Sequence, residues 1–172
     1  MQEKYVELYK KLYEIKPNYG RTSIFLYNKI SPILKELNVK KLLDYGCGKS
    51  ELYLKLEEDL KIKVFRYDPA ITGLEKLPNE KVDFVICTDV LQHVPFNEIY
   101  EVLEKIKEFS ENCFFQINCI EHKTLLPNGE KANCTVLSKS CWLKILKAYF
   151  ENIKILYEDE GTKVTFLTKK LK

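Results

Sequence analysis

The sequence predicts an α/β protein whose doubly wound, mostly parallel sheet has seven strands and carries helices on both faces. Two observations lead to this fold class. Short apolar runs alternate five times with amphipathic segments of helical period, and such an order needs crossover connections between parallel strands. The chain then closes with two apolar runs around Asp159-Glu160-Gly161, a hairpin connection that makes the last strand antiparallel.

A helical extension is predicted over residues 1–37, before the first strand. Its first 15 residues place apolar side chains at spacings of three and four, which is typical of an amphipathic helix. Pro17 marks the end of that helix, and Thr22 or Ser23 is expected to cap a second one.

The remaining elements follow from the hydrophobic period and from turn residues. Strands are predicted at 40–45, 62–68, 74–77, 82–88, 113–119, 153–157 and 163–168. Helices are predicted at 50–60, 97–109 and 138–150. Because no linker or repeat interrupts this order, we expect one domain, 1–172, in which residues 38–172 form the core.

Composition narrows the classes of function. The 28 Lys and Arg residues against 25 Asp and Glu leave a formal charge of only +3, so no charge-driven partner is implied. Only Arg21 and Arg66 are arginines, and the scarcity of this bidentate group argues against sequence-specific nucleic-acid binding. No apolar run approaches the ~20 residues that span a bilayer, and the charged N-terminus does not resemble a secretory signal. We therefore expect a cytoplasmic protein without a membrane partner.

The six cysteines are expected to be reduced thiols. Several fall inside apolar runs, where cysteine behaves as a small hydrophobic residue, and no Cys-x-x-Cys spacing occurs. Cys119, His122 and Cys134 are irregularly spaced, which favours a core thiol and loop residues over metal ligands. No metal site is predicted.

Three of the predicted strands end in residues suited to ligand binding. The first ends in Gly46-Cys47-Gly48, the second in Asp68-Pro69 and the fourth in Thr88-Asp89. Doubly wound sheets bind ligands outside the carboxyl ends of their strands. Glycines let a ligand approach the backbone, and a carboxylate after the second strand can accept both hydroxyls of a ribose. An NAD site would place a third glycine near position 51, where Glu51 stands.

The chain resembles class I S-adenosylmethionine-dependent methyltransferases, which have a Rossmann-like fold, in three motifs: DYGCG at 44–48, YDPA at 67–70 and CTDVLQHV at 87–94. The resemblance covers roughly residues 38–170 and extends to small bacterial and phage-encoded methyltransferases with a DYGCGK motif and a late loop, matched here by 126–133. It implies S-adenosyl-L-methionine as the cofactor, with Asp44 facing its cationic amino-acid end. The implied cofactor-binding residues are Asp44, Tyr45, Gly46, Cys47, Gly48, Asp68, Pro69, Thr88 and Asp89.

The methyl acceptor is expected to be a small polar molecule, a glycan or a nucleoside. The Asp-Pro-Pro-aromatic and Pro-Cys signatures of DNA methyltransferases are absent, which disfavours nucleic acid. If the acceptor must lose a proton, a base has to stand within ~3 Å of it, and the candidate catalytic residues are Asp89, His93 and His122. A packing or capping role explains His93 equally well. Two other functions stay open: a non-catalytic cofactor-binding module and an RNA methyltransferase.

Tyrosines are concentrated in the N-terminal extension, which in the resembled fold often covers the active site. Tyr5, Tyr9, Tyr13 and Tyr19 would form a wall suited to a polar acceptor, although packing of the helix on the domain also accounts for them. Lys49 would be unfavourable beside a cationic sulfonium unless its ammonium points elsewhere.

Overall fold

The structure, a computed structural model, describes residues 3–159 and 162–169. Its helices are α1 (Glu3–Ile15), α2 (Tyr27–Glu36), α3 (Leu52–Leu60), α4 (Ile99–Phe109) and α5 (Lys139–Lys147). Its strands are β1 (Lys41–Tyr45), β2 (Lys63–Tyr67), β3 (Phe84–Thr88), β4 (Cys113–Asn118), β5 (Ile153–Asp159) and β6 (Lys163–Thr168). Short 3-10 turns cover Thr22–Leu26, Leu91–His93 and Phe96–Glu98.

The strands form one sheet in the order β2-β1-β3-β4-β6-β5. The first four are mutually parallel, whereas β6 runs antiparallel to both β4 and β5. The predicted class, a mostly parallel α/β sheet with an antiparallel end, is therefore confirmed. β1 lies between β2 and β3, so the connection after β1 goes to one side of it and the connection after β2 goes to the other side. Sheets of this kind bind ligands in the crevice at the carboxyl end of the strand where the order reverses.

The prediction of seven strands is wrong: the described residues form six, and residues 74–77 lie in a loop. The loop turns back on the end of β2, because the Asp68 N–H donates to the Leu74 carbonyl at 2.9 Å and the Asp68 carboxylate accepts from the Ala70 N–H. Only Leu74 and Leu77 of this run are apolar, so it lacks the continuous apolar surface of a buried strand. No helix occurs between β2 and β3 either, so strands and helices alternate fewer times than predicted.

Both faces of the sheet are covered, which explains why its central strands are apolar throughout. Neighbouring residues of β4 point to opposite faces, since successive strand side chains alternate. Phe114 packs in a cluster that includes α2 and α3, and Phe115 packs in one that includes α4, α5 and the fully buried Trp142.

The N-terminal helix α1 packs apart from these two cores. It buries Tyr9 and Leu12 in a third cluster with Ala70, Leu126 and Ala132. The helix thus rests on loops that follow β2 and β4, at the carboxyl edge of the sheet. None of the helices within the described ranges is both long enough and apolar enough to cross a membrane.

The expected cap of the second helix is also different. The chain enters α2 through the 3-10 turn Thr22–Leu26, which begins after Arg21 without a side-chain cap. Thr22 and Ser23 are therefore residues of that turn and not caps, and Leu26 precedes α2 without a side-chain cap.

Candidate functional site

A cavity of about 350 Å³ lies at the carboxyl ends of β1, β3 and β4. Turns after these strands form its floor, and the roof comes from α1, the loop 16–21 and the long loop after β4. The predicted site residues that line it are Gly46, Cys47, Gly48, Asp68, Pro69, Thr88, Asp89, His93 and His122. Asp44 and Tyr45 are not part of its wall.

The turn after β1 contains two glycines, and neighbouring parts of the chain pack closely against their backbone. Gly46 and Gly48 have φ of +73° and +56°, the left-handed region that favours glycine. A Cβ at Gly46 would overlap the Val90 side chain, and one at Gly48 would lie 2.5 Å from the Gly20 carbonyl oxygen. Part of the close approach is therefore made by the chain's own N-terminal loop.

Asp68 presents a buried carboxylate beside this turn. Its Oδ2 accepts from the Gly48 N–H at 3.0 Å and from the Tyr13 hydroxyl at 3.2 Å, while its Oδ1 accepts from the Ala70 N–H at 2.9 Å. Burial raises the pKa of Asp68, and these three donors oppose the rise. The carboxylate is thus held in one orientation at the cavity wall.

Asp44 and Tyr45 are buried in the sheet. Asp44 is the register partner of Arg66 on β2. Burial raises the pKa of the Asp44 carboxyl to about 7, a rise that Arg66 opposes and the nearby Asp68 charge increases. The Tyr45 ring packs at 4.8 Å from that of Tyr67, within the core. The role implied for these two residues toward a cofactor stays a prediction.

Asp89 follows β3 with φ of +56°, a conformation that is uncommon for a residue other than glycine. Its carboxylate accepts from the Lys163 ammonium, which lies 2.9 and 3.0 Å from the two oxygens. Thr22 and Gln92 add longer contacts of 3.4 Å each. Lys163 begins β6, and no sequence pattern links it to Asp89, because the antiparallel insertion of β6 beside β4 brings them together.

His93 has two ring nitrogens with different partners. Nδ1 lies 2.9 Å from the Ala132 carbonyl oxygen, which can only accept, so Nδ1 carries the proton. Nε2 is then an acceptor, and it lies 3.5 Å from the Tyr19 hydroxyl. Burial lowers the pKa of His93 from its ordinary value of 6.5, more than its partners raise it, so the neutral ring is favoured at pH 7.

His122 has the opposite arrangement of donor and acceptor on its ring nitrogens. Its Nδ1 accepts from the Thr124 N–H at 3.2 Å and lies 2.9 Å from the Thr124 hydroxyl. Because Nδ1 is an acceptor, the neutral ring carries its proton on Nε2. His122 is therefore suited to donate a hydrogen bond through Nε2, whereas His93 is suited to accept one.

Two buried polar atoms of the cavity residues have no hydrogen-bond partner in the described part of the chain. They are Oε1 of Gln92 and Oγ of Ser23, whose residues are 2% and 8% exposed. A buried polar group without a partner costs roughly 1–3 kcal/mol, so a ligand that supplies one would be favoured. Sequence reasoning missed both residues, because nothing in their spacing distinguishes them from helix positions.

The N-terminal extension forms part of the cavity wall through three of its tyrosines. The Tyr9 hydroxyl donates to the Ala132 carbonyl at 2.8 Å, Tyr13 bonds Asp68, and Tyr19 reaches His93. Tyr5 lies at the edge of the cluster around Leu12 and is not in the wall.

Two basic residues close in sequence to the site, Lys49 and Arg21, do not line the cavity. The Lys49 ammonium donates to the Tyr13 carbonyl at 2.8 Å, near the carboxyl end of α1, where a cation is favourable. Arg21 is exposed and is not part of the wall.

The cysteines are free thiols in the structure, with Cys47, Cys87 and Cys113 buried. Burial raises the pKa of the Cys47 thiol to about 12, so the cavity holds no reactive thiolate from this residue. Across residues 3–159 and 162–169, no three His, Cys, Asp or Glu side chains are placed to hold a metal ion.

No family model matches the chain, and neither does any curated protein. Among solved structures, it is similar to a complex of DhpI with SAH, with 13% identity, a TM-score of 0.68 and 98% of both chains covered. It is similar to the N-terminal domain of EvdMO1, solved with SAH and D-fucose, with 12% identity, a TM-score of 0.62 and coverage of 98% and 97%. It is also similar to an S-adenosylmethionine-dependent methyltransferase from Clostridium acetobutylicum ATCC 824, with 14% identity, a TM-score of 0.61 and coverage of 94% and 97%.

The chain therefore has the fold of S-adenosylmethionine-dependent methyltransferases, over nearly its whole length. These neighbours are consistent with S-adenosylmethionine as the cofactor that the sequence motifs imply. Their identities of 12–14% establish the fold alone, and the subgroup with the DYGCGK motif stays a prediction.

Proposed function

We propose that this chain is a methyltransferase that uses S-adenosyl-L-methionine to methylate a hydroxyl group of a small polar acceptor, of the sugar or nucleoside kind. The observation that carries the proposal is the glycine turn joined to a buried carboxylate at the switch point of the sheet. There, Gly48 and Asp68 are linked by a hydrogen bond of 3.0 Å at the wall of the cavity.

The cavity residues divide by position into two groups. The turns after β1 and β2, with Gly46, Gly48 and Asp68, offer close backbone and a carboxylate, which suit the ribose and amino-acid parts of the cofactor. The residues toward β4 and β6, with His93 and Lys163, offer hydrogen-bonding and charged groups for an acceptor. When bound, the cofactor would supply an electrophilic methyl group on a positively charged sulfur.

His93 is the best candidate for the base. Asp89 is engaged on both oxygens by the Lys163 ammonium, and His122 carries its proton on Nε2. The unprotonated Nε2 of His93 has only a long contact of 3.5 Å to the Tyr19 hydroxyl, whereas the unprotonated Nδ1 of His122 is engaged by Thr124. The hydroxyl proton of the acceptor would move to Nε2 as the oxygen–carbon bond forms and the carbon–sulfur bond breaks, leaving its electron pair on sulfur.

A binding measurement tests the cofactor assignment. Calorimetry with S-adenosylhomocysteine should give micromolar-range affinity, and NAD should give none. Asp68→Asn should weaken the affinity roughly 10- to 100-fold, because a hydrogen bond to a charged group is lost. The matched control is Asp59→Asn, an exposed carboxylate that also accepts from a tyrosine and lies outside the cavity wall. Absence of binding in protein that circular dichroism reports as folded would falsify the assignment.

A turnover measurement separates an enzyme from a binding module. Protein incubated with S-adenosylmethionine and the small-molecule fraction of a cell extract should form S-adenosylhomocysteine, whereas the RNA fraction of the same extract, assayed separately, should give none. Binding without turnover in any fraction would favour the non-catalytic module. Turnover confined to the RNA fraction would favour the RNA methyltransferase instead.

A further inference from the structure

The Asp68 carboxylate already holds a hydroxyl group of the chain itself. Its Oδ2 accepts from the Tyr13 phenol at 3.2 Å and from the Gly48 N–H, and its Oδ1 accepts from the Ala70 N–H. Burial and the Asp68 charge raise the pKa of Tyr13, so the phenol stays protonated and acts as a donor. A ribose bound through its hydroxyls to Asp68 would need the position that Tyr13 now takes.

The same arrangement recurs at the proposed base. The Tyr19 hydroxyl lies 3.5 Å from Nε2 of His93, and this is the nitrogen that would receive the proton of an acceptor hydroxyl. The Tyr19 ring packs 6.5 Å from the His93 ring. A tyrosine hydroxyl therefore occupies each of the two groups that the proposed function assigns to ligands, the Asp68 carboxylate and Nε2 of His93.

The two phenols are carried by one short segment, residues 13–20. Their rings pack 5.9 Å apart. The segment is tied to the glycine turn at two points, because the Gly20 carbonyl accepts from the Lys49 N–H at 2.8 Å and the Tyr13 carbonyl accepts from the Lys49 ammonium at 2.8 Å. The backbone of the segment packs directly on that turn, because a Cβ at Gly48 would lie 2.5 Å from the Gly20 carbonyl oxygen.

We propose that residues 13–20 form an internal plug in which Tyr13 and Tyr19 stand in for the ribose hydroxyl and the acceptor hydroxyl. Binding of the cofactor displaces Tyr13 from Asp68, and Tyr19, packed on Tyr13, leaves His93 in the same movement. The cofactor must then bind before the acceptor. This inference rests on the proposed function, since it assigns Asp68 to the ribose and His93 to the acceptor.

The plug is expected to lower the apparent affinity for the cofactor. A ligand that needs the open form binds with its intrinsic dissociation constant divided by the fraction of open molecules. Weakening the plug raises that fraction and therefore tightens binding. If a tyrosine instead supported the bound cofactor, removing its hydroxyl would weaken binding.

The first test is calorimetry with S-adenosylhomocysteine on Tyr13→Phe, which keeps the ring and removes only the hydroxyl. We expect binding roughly 3- to 10-fold tighter than in the wild type, from loss of one competing hydrogen bond. Tyr100→Phe, at a half-exposed position of α4 outside the cavity wall, should leave the affinity unchanged. Unchanged or weaker binding by Tyr13→Phe, with binding by the wild type, would overturn the plug and leave the proposed function standing.

A second variant guards against misfolding of the first. Tyr9→Phe removes the bond from α1 to the Ala132 carbonyl, which keeps its bond from His93, and it leaves Asp68 untouched. This variant should also bind more tightly, by about 2-fold, because a looser α1 holds the plug less firmly. If neither the wild type nor any variant binds S-adenosylhomocysteine, the proposed function fails together with the plug.

The second test measures the coupling at His93 directly. His93 and His122 are the only two histidines of the chain, so diethyl pyrocarbonate labels two distinguishable sites. Saturating S-adenosylhomocysteine should speed the labelling of His93 at least 2-fold relative to His122, because Tyr19 leaves Nε2. Slower or unchanged labelling of His93 would contradict the coupled movement.

Discussion

His93 is positioned in the cavity by the hydrogen bond from its Nδ1 to the Ala132 carbonyl and by the Tyr19 hydroxyl 3.5 Å from its Nε2. The bond from Nδ1 to Ala132 leaves Nε2 as the unprotonated nitrogen, and burial keeps the ring neutral by lowering its pKa below the ordinary 6.5. In the unfolded chain the ring binds its proton more tightly. The histidine therefore makes the folded state less stable as the pH falls through the window between the folded pKa and 6.5.

His93→Gln should lower turnover by ~10²–10⁴-fold, the usual contribution of a general base. In the wild type, turnover should fall as the pH decreases through the lowered pKa of His93, at a pH below 6.5, because protonation removes the base. The variant should lack this acid limb. Formation of S-adenosylhomocysteine between pH 5 and 9 is the measurement, with the small-molecule extract as acceptor source.

His122→Gln is the matched control for that substitution. It should keep the acid limb, because the donor on Nε2 does not take the proton of the acceptor. Equal losses in the two variants, with both folded by circular dichroism, would show that neither ring nitrogen acts as the base and that both side chains only position the acceptor.

At the scale of elements, α1 is held to the rest of the molecule by a narrow apolar face and by the hydrogen bonds of Tyr9 and Tyr13. Leu12 is 1% exposed in the cluster with Tyr9, Ala70, Leu126 and Ala132. At the surface, the Lys4–Glu130 ion pair joins α1 to the turn of the late loop at 2.9 Å, and an exposed pair of this kind contributes little because solvent screens it. Apolar packing therefore contributes more than this ion pair to keeping the roof closed.

Leu12→Ala should cost ~2–4 kcal/mol, because it leaves a cavity where the surrounding loops cannot fully collapse. The loss should appear as faster proteolysis at the N-terminus and a lower melting temperature. Ile15→Ala, on the same helix at a position 65% exposed, should change neither by much. Similar behaviour of the two variants would mean that α1 is not packed through its Leu12 face.

At the scale of the whole molecule, the sheet separates two apolar cores. Adjacent residues Phe114 and Phe115 of β4 are each 0% exposed, one in each core. This arrangement follows from crossover helices on both faces, since a sheet with one solvated face would expose every second side chain.

Phe114→Ala and Phe115→Ala should therefore each lower the free energy of unfolding by ~3–5 kcal/mol. Urea unfolding followed by circular dichroism is the measurement, because Trp142 shares the core of Phe115 and its fluorescence would respond to the nearby change. Ile155→Ala, on the edge strand β5 and 41% exposed, should cost far less. A large effect in only one of the two phenylalanine variants would contradict a sheet covered on both faces.

Local pattern was sufficient for most elements of the fold. The 3.6-residue period of residues 1–15 and 97–109 corresponds to α1 and α4, and the apolar run at 113–119 corresponds to β4. The strand predicted at 74–77 is absent because a four-residue run carries little period. Hydrogen bonds between Leu74 and residues 68 and 71 of the preceding turn hold it in a loop instead.

The sequence by itself determined which residues meet at the carboxyl edge, since Gly46, Asp68 and Asp89 each end a strand and parallel strands align their ends. Only the tertiary structure decided what those residues touch. Lys163 reaches Asp89, and Tyr13 reaches Asp68, across 74 and 55 positions of the chain. The physical reason is range: period and turn chemistry act over a few residues, whereas these contacts depend on the insertion of β6 beside β4 and on the packing of α1 over the cavity.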